Sequence, residues 1–175
     1  MADPFRIRSL TPAEAHSAVG ALADVLLDCV AGGASVSFMA DLTFADAQAF
    51  WLAATTADDG RAILVAQDHA GIFGVVQVIP MWAPNQPHRV DIAKLLVSRR
   101  ARGRGAAQAL MAAAEAATVA MGRTLMTLDT VTGGAAERLY AKLGWTRSGE
   151  IPGYALMPDG ALCGTTIFYK SVGEV

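Results

Sequence analysis

The sequence has little cysteine, no long hydrophobic run and no leader-like start, and each absence excludes a class of protein. Its two cysteines, Cys29 and Cys163, form no CxxC pair, so we expect buried free thiols rather than a disulfide or a metal site. No run of about 18 uninterrupted apolar residues occurs, so no membrane span is expected. Residues 1–6 lack the apolar core of a signal peptide, and together these features predict a cytoplasmic protein.

An excess of charge of one sign is lacking as well. The chain carries 14 basic and 16 acidic residues, a net charge of -2, so its overall charge gives no reason to expect a nucleic-acid partner. The local exception is the basic run 99–104, which has none of the interleaved aromatic residues that stack on bases. A composition of 53% hydrophobic and 17% charged residues is too apolar for a disordered chain, and 175 residues suit a single domain spanning 1–175.

Capping and turn signals divide the chain into alternating strands and helices. Thr11-Pro12-Ala13-Glu14 and Thr43-Phe44-Ala45-Asp46 each begin a helix, and Asp68-His69-Ala70-Gly71 joins two strands as a hairpin. Strands are predicted over 5–10, 61–67, 72–82, 89–97, 124–130, 145–148 and 162–170, with helices after 11, 43, 104 and 134. The order β-α-α-β-β-β-α-β-α-β-β contains hairpins and helical crossovers, so we expect an α/β fold with a mixed, mainly antiparallel sheet and flanking helices.

The connector between the first two helices, residues 34–40, is unusually apolar for a surface loop. It fits two interpretations equally well, a plug over the hydrophobic core or a wall of a substrate site.

A glycine-rich basic turn, Arg102-Gly103-Arg104-Gly105-Ala106-Ala107, follows the strand 89–97 and begins a helix. The first N–H groups of a helix lack internal partners, and glycines let an anion approach them closely, so this turn is a candidate phosphate site. It lacks the Lys and hydroxyl of a P-loop, and Gln108 stands where a Rossmann fingerprint has its third glycine. A solvated basic turn without a ligand is the remaining alternative.

At this turn the chain resembles the GNAT superfamily of acetyltransferases, whose signature is Gln/Arg-x-x-Gly-x-Gly/Ala. Residues 102–107 and residues 100–105 both fit it, and the first register is preferred because the common form has glycine directly after the arginine. The element order resembles that fold over nearly the whole chain. The resemblance implies acetyl-CoA as cosubstrate, no metal, and a cofactor site formed by Leu96, Val97, Arg102, Gly103, Arg104, Gly105, Ala106 and Ala107.

Two residues are candidates for the acid–base chemistry. Spacing alone favours Tyr140 as a core residue, but superfamily members often carry Asn-x-x-Ala-x-x-x-Tyr here, which implies that Tyr140 is the acid that protonates the leaving thiolate. Asp129 ends a strand that faces the site. It would bind the substrate ammonium or accept its proton through water, and the alternative is a helix-capping or turn residue. Many members place a glutamate on the strand before the signature. This chain has Asp91 and Lys94 there, so the general base stays open.

Further stretches resemble the tabtoxin-resistance acetyltransferases of that superfamily, which modify a toxic β-lactam amino acid. They are residues 32–36, 38–42, 94–95, 128–130, 149–154 and 158–160. The resemblance implies a small amino-bearing acceptor in contact with Ser35, Phe38, Met39, Asp129 and Tyr154. For Tyr154 the alternative is a loop aromatic that packs on the last hairpin. Lys94, Trp82 and His88 are near the same cleft and receive no role.

The resulting hypothesis is an N-acetyltransferase that moves an acetyl group to a primary amine of a small molecule by direct attack in a ternary complex. No cysteine has a recognisable nucleophile setting, so an acetylated enzyme is not expected. The alternatives are a regulatory acyl-CoA-binding module without turnover and an acetyltransferase that acts on a protein or peptide amine. A homodimer formed through an exposed sheet edge is left open.

Overall fold

The computed structural model describes residues 4–173. Residues 1–3 and 174–175 lie outside the described residues. The predicted domain 1–175 includes both segments, and the prediction about residues 1–6 falls partly on the first. The strands are β1 Arg6–Ser9, β2 Ala62–Asp68, β3 Gly71–Pro80, β4 Arg89–Val97, β5 Leu125–Val131, β6 Thr146–Leu156 and β7 Leu162–Ser171. The helices are α1 Pro12–Ser17, α2 Val19–Ala31, α3 Phe44–Thr56, α4 Ala106–Ala120 and α5 Ala135–Lys142, and a 3₁₀ turn covers Arg99–Ala101.

All strands belong to one seven-stranded sheet with the order β1-β2-β3-β4-β5-β7-β6. The neighbours β4 and β5 are parallel, and the other neighbouring pairs are antiparallel. The predicted mixed, mainly antiparallel sheet with flanking helices is therefore confirmed. No helix in the described part of the chain is long and apolar enough to cross a membrane.

The prediction of a single helix after Thr11 is wrong in one respect, because the structure has two consecutive helices there. The Thr11 capping box begins α1 as predicted, but α1 ends at Ser17 and α2 begins at Val19. The Ser17 hydroxyl donates to the Ala13 carbonyl at 2.9 Å, and Gly20 lies in the first turn of α2. Serine and glycine are weak helix formers, which explains why the chain breaks here.

The strand predicted over 145–148 was also too short, because β6 continues to Leu156. Its register against β7 shifts between Arg147 and Gly149 and again between Ile151 and Ala155. Bulges of this kind, with Gly and Pro in the strand, hide the period-two pattern that predicts a strand. Tyr154 therefore lies on an edge strand and not in a loop.

Hydrophobic side chains fill both faces of the sheet. On one face α4 packs through Leu110 and Met111, and on the other α2 and α3 pack through Leu26 and Trp51. Gly74 of β3 lets α4 approach closely, because a Cβ there would lie 3.2 Å from the Leu110 side chain. Helices α4 and α2 thus pack against β3 and β4 from opposite faces, and β4 carries one wall of the site described next.

Candidate active site

Strands β4 and β5 begin as a pair and then separate. They pair in parallel only where Arg89–Asp91 faces Leu125–Thr127. The Arg89 guanidinium pins this end, since its Nη1 donates to Thr127 Oγ1 at 2.7 Å and to Asp91 Oδ1 at 2.6 Å. Beyond it the strands diverge, and within residues 4–173 no strand pairs with residues 92–97 of β4 on that side. The result is a V-shaped opening in the middle of the sheet.

A cavity of about 840 Å³ occupies this opening. Its walls come from β4, β5, the ends of α2 and α5, the connector 34–39 and the β6–β7 hairpin. The cavity lining includes ten predicted site residues, which are Ser35, Phe38, Met39, Leu96, Val97, Arg102, Ala107, Asp129, Tyr140 and Tyr154. The structure thus brings the predicted catalytic, substrate and part of the cofactor residues into one space.

The glycine-rich turn lies where β4 passes into α4. Gly103 and Gly105 have φ values of +77° and +81°, which are left-handed conformations that favour glycine. Gly105 is the N-cap of α4 and gives the helix no side-chain cap. The first-turn N–H groups of α4 therefore lack the side-chain acceptor that caps most helices, and they lie beside the cavity with Ala107.

The two arginines of the turn have different surroundings. Arg102 is exposed and lines the cavity. Arg104 is engaged elsewhere, because its Nη1 donates to Asp68 Oδ2 at 2.9 Å and its guanidinium stacks over Phe73 at 4.8 Å. Arg104 and Arg100 together hold the pKa of Asp68 at about 2, well below its usual range. Arg104 therefore anchors the turn to the β2–β3 hairpin, and Arg102 is the arginine placed to meet a ligand.

Tyr140 has its ring in the core and its hydroxyl near the cavity. The side chain is buried, and its ring lies 5.8 Å from the Trp145 ring and 5.9 Å from the Phe168 ring. Within residues 4–173 no group hydrogen-bonds the hydroxyl. Burial, with a contribution from the negative charge of Asp129, raises the pKa of Tyr140 far above its usual range. The hydroxyl thus stays protonated and can act as a donor.

Asp129 lies inside β5, so it is neither a helix cap nor a turn residue. Thr165 of β7 donates from Oγ1 to Asp129 Oδ2 at 2.8 Å and fixes the carboxylate. The carboxylate also acts electrostatically on Lys94 and Tyr140 across the cavity. This arrangement places a fixed negative charge between the two strands.

The apolar connector, residues 34–40, packs on the hydrophobic core and also lines the cavity. The interpretations as a plug over the core and as a wall of the cavity are therefore compatible. Val36 and Phe38 pack against the core under α2 and α3, and the Phe38 ring lies 5.3 Å from Phe50. Ser35 donates to the Leu156 carbonyl at 2.9 Å and ties the connector to β6. Met39, Phe38 and Tyr154 then form apolar walls of the cavity, with Tyr154 57% exposed.

Sequence reasoning gave no role to Lys94, which the structure places in the cavity wall. It has a φ of +54° at a bulge where the β3–β4 register shifts, and no sequence signal marks a lysine for that conformation. Trp82 is 86% exposed, and neither it nor His88 lines the cavity. Both cysteines are free thiols as expected, but Cys163 is only partly buried and lines the cavity with the buried Cys29.

Comparison with known proteins identifies this arrangement. A family model described as an acetyltransferase (GNAT) domain matches residues 59–147. The fold resembles a GNAT superfamily phosphinothricin acetyltransferase from Sinorhizobium meliloti solved in complex with AcCoA, with a TM-score of 0.78 and 18% identity over 97% of this chain and 89% of that chain. It also resembles an N-acetyltransferase from Staphylococcus aureus Mu50, with a TM-score of 0.81 and 15% identity over 98% of this chain and 100% of that chain.

A third likeness is to a GCN5-related N-acetyltransferase from Kribbella flavida, with a TM-score of 0.78 and 22% identity over 96% of this chain and 98% of that chain. At these identities the solved structures establish the fold. The family model covers more than half of the 175 residues, including the splayed strands, the glycine-rich turn and α5. The chain therefore belongs to the GNAT acetyltransferase family.

Proposed function

We propose that residues 1–175 form one domain that transfers an acetyl group from acetyl-CoA to a primary amine of a small molecule, by direct attack in a ternary complex. The observation that carries the proposal is the cavity between β4 and β5. It combines an unpaired strand edge, an uncapped helix N-terminus, a fixed carboxylate and a protonated tyrosine.

The site fits acetyl-CoA along its length. The free edge of β4 at Leu96 and Val97 can hydrogen-bond the amides of the pantetheine arm, as an added strand would. The α4 N-terminus and Arg102 suit the pyrophosphate. In the described part of the chain, no atom beyond the adjoining residues lies within 4 Å of the position of a Cβ at Gly103 or Gly105, so the space in front of the turn is open.

In this proposal the residues of the glycine-rich turn contribute to pyrophosphate binding in different ways. Gly103, Gly105, Ala106 and Ala107 present backbone N–H groups, and Arg102 contributes charge. Arg104 contributes its backbone, while its side chain holds the turn against Asp68.

Acetyl-CoA, when bound, supplies a thioester with an electrophilic carbon and a thiolate leaving group. Asp129 holds the acceptor's ammonium in the cavity and accepts its proton through water, which leaves a neutral amine to attack. Tyr140 would donate a hydrogen bond from Oη to the sulfur as negative charge develops there. As the C–S bond breaks, the second amine proton would pass through water to the thiolate, which leaves as free coenzyme A thiol. The raised pKa of Tyr140 makes it a persistent donor and opposes full loss of its proton.

Direct transfer is favoured over an acetylated enzyme. Cys29 is buried, and its pKa is raised by burial and by the nearby Asp28, which disfavours the nucleophilic thiolate. Cys163 Sγ lies 3.5 Å from the Ala155 carbonyl, and no basic side chain of residues 4–173 hydrogen-bonds it to activate the thiol.

The shape of the cavity and resemblances to two kinds of acetyltransferase support a small-molecule acceptor. Ser35, Phe38, Met39 and Tyr154 narrow the cavity on the acceptor side. The sequence resembles the tabtoxin-resistance acetyltransferases, and the fold resembles a phosphinothricin acetyltransferase. Both observations favour an acceptor of amino-acid size, and they also make toxin resistance a candidate role.

Calorimetry with acetyl-CoA and initial-rate kinetics with a panel of amines test the proposal. Varying both substrates should give intersecting double-reciprocal lines, because both must be bound before transfer. Acetyl-CoA binding without thiol release from any amine would instead identify a regulatory module. Turnover with peptides but with no small amine would identify a protein or peptide amine as the acceptor. Parallel double-reciprocal lines would indicate an acetylated enzyme.

A further inference from the structure

Ser37 and Lys94 share an unusual backbone conformation. Among the residues 4–173 they are the non-glycine positions with positive φ, +77° for Ser37 and +54° for Lys94. Residues held in this region cost about 1–3 kcal/mol each and concentrate at functional sites. The two meet in the cavity wall, where Lys94 Nζ donates to Ser37 Oγ at 3.2 Å.

The Lys94 ammonium is a half-buried cation without a carboxylate partner. It lies 5.5 Å from the centre of the Phe50 ring, and no carboxylate in the described part of the chain comes within ion-pairing distance. Burial lowers its pKa, while the charge of Asp129 opposes that change. Most other partly buried basic groups, such as Arg89 and Lys170, have an acidic partner. An unpaired cation that faces a cavity is a site for a ligand anion.

The two diverging strands thus present opposite charges to the same space. Lys94 on β4 has its ammonium in the cavity, and Asp129 on β5 has a carboxylate fixed there by Thr165. Within residues 4–173 these two charges form no direct ion pair, although the charge of Asp129 acts on Lys94 electrostatically. A ligand that carries both an ammonium and a carboxylate matches this pair.

We propose that the acceptor is an amino acid, whose carboxylate binds Lys94 Nζ and Ser37 Oγ while its reacting amino group lies at Asp129. The inference rests on the proposed function and names its substrate class. The left-handed backbone at both residues is what aims the ammonium and the hydroxyl at one point. Lys94 is a substrate-binding residue in this scheme and takes no part in proton transfer.

The test uses matched pairs of acceptors, each L-amino acid beside the amine that remains when its carboxylate is removed, such as phenylalanine and phenethylamine. The measured quantity is kcat/KM for the amino acid divided by kcat/KM for the amine, from thiol release at saturating acetyl-CoA. Comparing this ratio between variants cancels the different pKa values of the two amines.

Lys94→Met should lower the ratio about 10- to 100-fold, mainly through KM of the amino acid, because a charged hydrogen bond to the carboxylate is lost. Ser37→Ala should lower it in the same direction by a smaller factor, and it supports the conclusion if Lys94→Met does not fold. Lys142→Met, which removes an exposed charge at the end of α5, is the matched control and should leave the ratio as in the wild type.

The outcomes separate the two proposals. Thiol release with an unchanged ratio in Lys94→Met and Ser37→Ala overturns the amino-acid inference and leaves the acetyltransferase proposal standing. A large fall in kcat with both members of a pair, together with a shifted pH profile, also overturns it, since Lys94 would then act in proton transfer. No thiol release with any amine refutes the proposed function and this inference together.

Discussion

Replacing Tyr140 by Phe should lower kcat and leave the free energy of unfolding nearly unchanged. The substitution removes one hydroxyl and keeps the ring that packs between Trp145 and Phe168. No group within residues 4–173 hydrogen-bonds that hydroxyl, so the folded protein loses no internal hydrogen bond. The free energy of unfolding should stay within about 0.5 kcal/mol of the wild type.

Catalysis should respond very differently to the same change. A hydrogen bond to a charged group contributes about 1.5–3 kcal/mol, and the leaving thiolate would lose one. At about 1.4 kcal/mol for each tenfold change, kcat should fall about 10- to 150-fold. Because the raised pKa of Tyr140 keeps its hydroxyl protonated, the pH profile of the remaining activity should keep its shape up to alkaline pH.

Thiol release from acetyl-CoA at several pH values, beside urea unfolding followed by circular dichroism, measures both effects. Full turnover in Tyr140→Phe at all pH values would refute the donor role. A loss of more than about 1 kcal/mol in stability would show instead that the hydroxyl has a structural partner. Asp129→Asn, which keeps the size of its side chain and removes its charge, is a useful second comparison.

Three further predictions concern the turn and the cavity wall. Arg102→Ala should raise the Kd for acetyl-CoA roughly 10-fold in calorimetry, whereas Arg104→Ala should mainly lower Tm. The pKa of Asp68, about 2, lies below its unfolded value of about 3.9, so its stabilising contribution is present above pH 4 and lost as the pH falls towards 2. Urea midpoints across that range should therefore drop less in Asp68→Asn. Ser37→Gly should be about 0.5–1 kcal/mol more stable than Ser37→Ala in urea unfolding, because both variants lose the acceptor of Lys94 Nζ and only glycine relieves the left-handed backbone.

Local signals in the sequence predict much of this fold. The capping boxes at Thr11 and Thr43 form as predicted, and β4 has the predicted bounds. These features depend on residues within a few positions of one another, so the sequence pattern is sufficient. The long β6 was missed because its bulges depend on pairing with β7 and interrupt the alternation of side chains.

The parts of the site that escaped prediction depend on distant contacts. Asp68, 36 residues earlier in the chain, fixes the orientation of the Arg104 side chain by accepting its hydrogen bond. The left-handed backbone of Lys94 follows from a register shift between β3 and β4, and lysine carries no preference for it. Tyr140 could be placed on the inner face of α5 from spacing, but its unpartnered hydroxyl became visible only in the assembled cavity.

The most direct test of the account is the stoichiometry of the products. Incubation with acetyl-CoA and a mixture of amino acids and simple amines, followed by mass spectrometry and thiol titration, measures both products at once. Direct transfer predicts that free coenzyme A and an N-acetylated amine accumulate in equal amounts, and that the enzyme itself remains unacetylated. Coenzyme A released without an acetylated amine, or tight binding of acetyl-CoA without any product, would contradict it.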